Sequence, residues 1–369
     1  MDHAANNGAK GSGERGSLDL DALAAVISKA SSEISAYCGQ SGHPVPANTS
    51  EGGSAKHAHI IPPDAAESVH QARQTIRNAA YEILLLCSEP SEFLEDHEVN
   101  DWVGFMTKFL VPTACQLPEA TERWGDTKET NQTALNCAFN TDLTTFEYME
   151  SNQASSDYFA RYMRSLGKSA GFLPDHILKG FNWESLGEAQ VVDVGGSSGQ
   201  VAILLATNYP RLTIKIMDLP VTTANTQPIL DRLEPSVASR VSCVAHDFFK
   251  PFPEVLAEST DVYFLRKILH DWPFPSAQII LQNLTTALKP GAVIVIMETI
   301  LPPSGSIPAR AEARLCVRDL IMAETQNSKE REMSDWIELF ESVTPKLRLK
   351  GYEQPSGSVL TLLVVEVDK

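Results

Sequence analysis

The sequence has no C-x-x-C pair. Its six cysteines, Cys38, Cys87, Cys115, Cys137, Cys243 and Cys316, are scattered along 369 residues, which argues against a disulfide scaffold and against a zinc site. Thiols in apolar surroundings fit a reducing compartment. No apolar run reaches the ~18 residues of a membrane helix. The opening MDHAANNGAKGSGERGS lacks the apolar segment of a secretory signal. A cytoplasmic protein without a membrane partner is the expectation, and the N-x-T match at Asn131-Gln132-Thr133 then carries no meaning. Positive charge is also scarce, with 30 basic against 47 acidic side chains, a net charge of −17 and no basic run. Such a surface repels phosphate backbones and speaks against nucleic acid. His43, His57, His59 and His70 show no metal spacing, and no carboxylate-rich cluster stands out, so no metal is expected.

What is present changes character halfway. Residues 1–17 read as a disordered tail. Leu20, Leu23, Val26, Ile27, Ile34 and Tyr37 recur at helical spacing, with Gly39 as the stop. Residues 39–60, rich in Ser, Gly, Pro and Asn, read as a linker. A second helix is predicted after Pro62-Pro63, with Asp64 and Glu67 as its capping box, and further helices over 101–124 and 134–166. From Val191 onward, β-rich runs alternate with helical patterns: VVDVGG (191–196), LTIKIMD (212–218), RVSCVAHD (240–247), DVYFLRKI (261–268) and AVIVIMETI (292–300). Near-continuous apolar strands between helices predict a parallel sheet covered on both faces. The closing KLRLKGYE and SVLTLLVVEV are joined by the short turn QPSG, which fits an antiparallel hairpin. The fold class is thus α/β, a Rossmann-like seven-stranded, mostly parallel sheet with a C-terminal hairpin, behind an all-helical N-terminal region.

Ligands of such sheets bind beyond the strand C-termini. The first strand runs into Asp193-Val-Gly195-Gly196-Ser-Ser-Gly199, where glycines let a ligand approach the backbone. The spacing does not satisfy the NAD fingerprint G-x-G-x-x-G, and no G-K-[ST] follows, which excludes a P-loop. The second strand ends in Asp218, placed to accept the hydroxyls of a ribose. The third ends in His246-Asp247-Phe248, an acid and an aromatic suited to an adenine amino group and ring face. Acids at strand ends are also common helix caps. His270, in KILHDWPFP, closes the fourth strand, where a histidine is either structural or catalytic.

VVDVGGSSG, IMDLP (216–220), HDFF (246–249), LRKILHDW (265–272), METILP (297–302) and SKERE (328–332) together resemble the class I S-adenosylmethionine-dependent O-methyltransferases of the plant caffeic-acid and fungal polyketide type. The resemblance covers roughly residues 100–369, which it marks as the methyltransferase domain, with 18–99 as a dimerising helical region. It implies that Gly195, Gly196 and Gly199 hold the methionine part of the cofactor, Asp218 the ribose, Asp247 the adenine with Phe248 beside it, and Arg266 the cofactor carboxylate. Phe159 and Met163 fit the family's F-x-x-x-M spacing near cofactor and acceptor. His270 is the implied general base, flanked by Glu298 and Glu330. A neutral imidazole with a pKa of about 6.5 can take a phenol's proton near neutral pH. Asp271 and Trp272 read as a cap and a packing residue, and Glu330 on its own reads as part of a solvated charged run. The chain departs from the family in two places: Ser197 stands where the Gly motif has glycine, and the winged-helix segment usual before D-W-x-G-F is missing by several dozen residues. The implied function is O-methylation of a phenolic or enolic small molecule in secondary metabolism, by a homodimer that leaves S-adenosylhomocysteine as product. The alternatives are a non-methylating enzyme of pericyclase or dehydratase type that binds the same cofactor, and a truncated non-catalytic paralogue. N- or C-methylation also stays open.

Overall fold

The computed structural model describes residues 19–43, 61–62, 65–87 and 103–368. Contacts divide the chain into two compact units, Met1–Leu94 and Glu95–Lys369. The first contains helices α1 (Leu20–Ser41) and α2 (Glu67–Cys87). Asp19 caps α1 by accepting from the Ala22 N–H at 2.9 Å, as a carboxylate at a helix N-terminus does. The helix runs through Gly39 and stops at Gly42, whose φ of +71° is the left-handed C-cap. Periodicity therefore placed the stop three residues early. Small residues let the pair approach closely: Ala30, Ile34 and Cys38 pack with Val69 and Ala72. Asp64, the expected cap of α2, lies outside the described residues.

The first described helix of the second unit has a stretch, Met106–Leu110, widened to π geometry, and a short helix, Leu117–Trp124, follows. The single helical stretch expected over 134–166 is three helices, Ala134–Phe139, Thr145–Ser151 and α3 (Gln153–Lys168). Asn140, at φ +47°, ends the first. Thr144 starts the second with a capping box to Glu147, and the Asn152 side chain accepts from the first turn of α3. Polar caps inside an apolar period are what a window of hydrophobicity overlooks.

Seven strands then form one sheet: β1 (Ala189–Val194), β2 (Leu212–Asp218), β3 (Val241–Ala245), β4 (Val262–Arg266), β5 (Val293–Glu298), β8 (Leu347–Glu353) and β9 (Thr361–Val367), in spatial order β3-β2-β1-β4-β5-β9-β8. The first five are parallel. β9 and β8 add antiparallel at one edge. The order steps outward in opposite directions from β1, so the crevice between the ends of β1 and β4 is the topological switch point. Connecting helices include α4 (Gln200–Asn208), α5 (Pro220–Leu230) and α6 (Phe274–Thr286); α7 (Ala309–Gln326) and α8 (Met333–Glu341) precede the hairpin. Alternate residues of each strand enter two cores. Val191, Ile214, Phe264 and Val295 pack under Ala202 and Leu205 of α4. Val192, Val194, Leu265 and Ile296 pack against Ile280 and Leu284 of α6 and Trp336 of α8. A two-residue strand pair that the sequence did not disclose, β6 (Ile300–Leu301) with β7 (Arg331–Glu332), lies just beyond the end of β5. Its effect is to bring residues 330 and 331 to the strand ends. Among the described residues, no helix is long and apolar enough to cross a membrane.

Candidate active site

The turn after β1 is shaped by close approach. Gly195 and Gly199 have φ of +71° and +73°. A Cβ on Gly195 would lie 2.4 Å from the Ile268 side chain, and one on Gly196 2.7 Å from the Asp193 carboxylate. Ser197 also takes a left-handed φ, +47°, at a cost of roughly 1–2 kcal/mol for a residue with a Cβ. Two bonds hold it there: its N–H donates to Asp218 Oδ2 at 2.9 Å, and its carbonyl accepts from the Thr226 hydroxyl at 2.8 Å. Asp218 also accepts from the Leu219 N–H at 2.8 Å. The carboxylate at the end of β2 thus fastens the Gly turn of β1 and keeps further lone pairs for a ligand. At the next strand end, Asp247 accepts from the Phe249 N–H at 2.9 Å. The Phe248 ring stands edge-on to Trp272, with centroids 5.9 Å apart. Trp272 itself packs on Phe249 and Phe146.

Across the switch point, Asp193 and Arg266 project from one face of β1 and β4, two residues apart in register. Asp193 is buried and its Oδ2 has no hydrogen-bond partner; the same holds for Arg266 Nε. Arg266 donates through Nη2 to the Phe172 carbonyl at 2.6 Å. Burial pushes the Asp193 carboxyl up to about 7, opposed by Arg266 and reinforced by Asp218. Buried polar atoms are rarely left unbonded. An orphaned carboxylate oxygen beside an orphaned guanidinium N–H fits the ammonium and carboxylate of an amino-acid group. Asp193 was missed as a site residue because it reads as part of an apolar strand.

His270 sits on a single 3-10 turn, Leu269–Asp271, that is held from both sides. Glu298, fully buried at the end of β5, accepts from the N–H groups of Ile268 and Leu269 at 2.8 Å each, and of His270 at 3.4 Å. Arg331, 2% exposed, donates to the carbonyls of Leu269 at 2.7 Å and Trp272 at 2.8 Å. Its guanidinium lies 5.3 Å from the Trp336 ring centroid. Glu298 therefore binds the turn's backbone and not the imidazole. The ring's partner is Glu330, whose Oε1 is 3.1 Å from Nδ1. Glu330 is 3% exposed, so the solvated-run reading of K-E-R-E does not hold. Asp319 of α7 fixes it by accepting from its N–H at 2.9 Å. Asp271 caps no helix; its carboxylate lies 3.5 Å from His270 Nε2. Burial alone would lower the His270 pKa, but Asp271, Glu298 and Glu330 together hold it up to about 9.

His270, Asp271 and Glu330 open onto a cavity of about 140 Å³ that also takes in Phe159 and Met163 of α3 and Lys267. Its walls are aromatic: Phe105 stacks on Tyr162 with centroids 4.6 Å apart and lies 5.7 Å from Phe159. A larger groove, of about 910 Å³, lies at the opposite, N-terminal ends of the strands beside Ala189, Asp261 and Val293, and holds none of the strand-end acids. No group of three or more metal-ligating side chains stands among the described residues.

A doubly wound sheet, a Gly turn fastened by the next strand's acid and a buried His–Glu pair beside an aromatic cavity define a Rossmann-like enzyme site. An O-methyltransferase domain model matches residues 125–344. The O-methyltransferase VdtC of Byssochlamys spectabilis is 35% identical over 426 aligned positions, covering 94% of this chain and 97% of the relative. An alignment that long leaves several dozen positions of the relative without a counterpart in 369 residues. Among solved structures, the mitomycin 7-O-methyltransferase MmcR superposes with a TM-score of 0.61 at 18% identity, over 81% of this chain and 84% of the other. A structure described as a pericyclic reaction enzyme gives 0.62 at 20% identity, over 95% and 87%. The chain belongs to the O-methyltransferase family, the S-adenosylmethionine-dependent enzymes that its motifs resemble.

Two outcomes follow from this geometry. Replacing Arg331 by Met leaves two buried carbonyls unpaired and Glu330 without its neighbouring cation; a loss of about 3–5 kcal/mol is expected in urea unfolding, and a loss below 1 kcal/mol would show that the turn does not depend on it. Asp193 is destabilising with a defined pH window. Below about pH 4 it is neutral in both states. Between about 4 and 7 the unfolded chain releases the proton first, so folding weakens, and above 7 the deficit is constant at up to about 4 kcal/mol. Asp193→Asn should therefore be more stable than the parent at pH 8 and equal to it at pH 4; equal melting temperatures at both would contradict the burial of an unpaired charge.

Proposed function

We propose that the chain transfers a methyl group from S-adenosylmethionine to the hydroxyl of a phenolic or enolic small molecule of secondary metabolism, with His270 as the general base. The observation that carries this reading is the His270–Glu330 pair, buried at the mouth of an aromatic cavity beside the strand ends. When bound, S-adenosylmethionine supplies an electrophilic methyl on a sulfonium. The chain's own residues do the rest. Asp218 and Asp247 receive the ribose and adenine, Asp193 and Arg266 the amino-acid end, and the Gly195–Gly199 turn admits it by close approach. Phe159 and Met163 line the space where the acceptor meets the methyl. His270 takes the acceptor's proton as the oxygen–carbon bond forms and the carbon–sulfur bond breaks, and Glu330 orients the ring and stabilises the imidazolium.

A pKa near 9 makes His270 a strong base whose neutral form is roughly one in a hundred at pH 7. A sulfonium placed beside it shifts the balance toward the neutral form by like-charge repulsion. The fold is shared with a pericyclic reaction enzyme and does not separate the two chemistries; a retained base with its carboxylate favours transfer over electrostatic catalysis alone. The helical N-terminal unit, with Leu20, Tyr81 and Leu86 exposed, is read as the dimerising part. Light scattering should then give a mass near twice 40.3 kDa, and a monomer would remove that assignment.

Calorimetric titration with S-adenosylhomocysteine tests the cofactor half: binding that Asp218→Ala abolishes is expected, and no binding by the folded parent would sink the reading. His270→Gln should retain that binding and lose about 10²–10⁴-fold in kcat/KM toward a phenolic acceptor. An unchanged rate would remove His270 from the chemistry.

A further inference from the structure

Lys267 adjoins the proposed base and is absorbed by none of the roles above. It holds a left-handed φ of +55°, a conformation that costs a side-chain-bearing residue energy and is retained where function fixes it. The consequence is that its side chain lines the same cavity as His270, three residues along the same turn. Its Nζ lies 5.5 Å from the Phe172 ring centroid, and the Arg318 guanidinium of α7 lies 4.5 Å from the same ring. Two cations thus lie against one aromatic ring of the cavity. Among the described residues the Lys267 ammonium makes no hydrogen bond or ion pair. The acids that act on it are Asp271, Glu330 and Glu298. Glu298 Oε1 accepts from three backbone N–H groups and Glu330 Oε1 faces His270 Nδ1, while Oε2 of both glutamates is left without a hydrogen bond and the ammonium does not close on either. Burial and the Arg266 charge depress its pKa, opposed by Asp271, Glu330 and Glu298. A lysine serving only as countercharge to those acids would close on one of them. A half-buried ammonium without a hydrogen-bonding partner has lost part of its solvation, and an anionic ligand group restores it.

We propose that Lys267 selects the acceptor, and that the acceptor is an aromatic hydroxy acid whose carboxylate pairs with the Lys267 ammonium while the hydroxyl to be methylated meets His270. The aromatic walls formed by Phe105, Phe159 and Tyr162 take the ring. This rests on the reading of the His270 cavity as the acceptor site. Specificity of this kind is a difference between affinities, and a group that pairs with a buried charge discriminates strongly against an analogue that cannot.

The experiment is calorimetric titration of the full chain, loaded with S-adenosylhomocysteine, with 2,4-dihydroxybenzoate and with its methyl ester. The parent should bind the acid at least about tenfold more tightly than the ester. In Lys267→Met the ratio should fall to near one, and Lys267→Arg should recover part of it. Arg318→Gln, on a separate element, should lower the ratio by less. Equal affinities in the parent, a ratio preserved in Lys267→Met, or no binding of either compound would overturn the proposal. Failure of S-adenosylhomocysteine to bind would instead count against the methyltransferase reading, while the acid-to-ester ratio on the unloaded protein still decides the role of Lys267.

Discussion

The site depends on one short turn whose backbone is gripped by two buried ions of opposite sign. Residues 268–272 leave the sheet at the end of β4 and make a single 3-10 turn, too short to satisfy its own N–H and C=O groups. Glu298 accepts from three of the N–H groups on one side, and Arg331 donates to two of the carbonyls on the other. Hydrogen bonds to ionised partners are the strong ones, and burial makes them directional and costly to break. The turn is therefore rigid, and His270 has its position fixed before any ligand arrives, which is what catalytic positioning requires.

The same arrangement sets the electrostatics. Burying Glu298 and Glu330 beside His270, with Asp271 adjacent, surrounds the imidazole with negative charge and favours its protonated form. Lys267 and Arg331 answer part of that charge. The strand-end side of the site shares one feature with it: Asp193 and Arg266 are each left with an unbonded buried atom, as are Glu298 and Glu330. Strain and unpaired charge concentrate here, in Ser197 and Lys267 at positive φ and in Asp193 without a donor, and not in the two apolar cores. That distribution is the usual mark of a ligand end.

Much of this was legible in the sequence. Apolar β-branched runs between helices disclosed the parallel sheet, and the short QPSG connection the closing hairpin, because both are local patterns. The strand-end acids stood out because Asp218 closes one apolar run directly and Asp247 closes another one residue on, after His246. What stayed hidden is non-local. Glu330 and Arg331 lie in a charged tetrapeptide that any local reading places in solvent, and they are buried only because β7 pairs with β6 beside the end of β5. The family resemblance names Glu298 and Glu330 beside His270, but no local pattern discloses that Glu330 meets the ring while Glu298 clamps the backbone of the turn. Lys267 escaped notice because a left-handed backbone at a lysine has no sequence signature.

The most direct measurement is an NMR titration of the His270 imidazole in the cofactor-free chain, assigned by comparison with His270→Gln. A midpoint near 9 is the result this account gives, since only a ring bonded to Glu330 and faced by Asp271 and Glu298 holds its proton so far above the ordinary value. A midpoint at or below about 6.5 would mean the imidazole is not enclosed by those carboxylates, and the clamped His–Glu pair would have to be abandoned as the centre of the site.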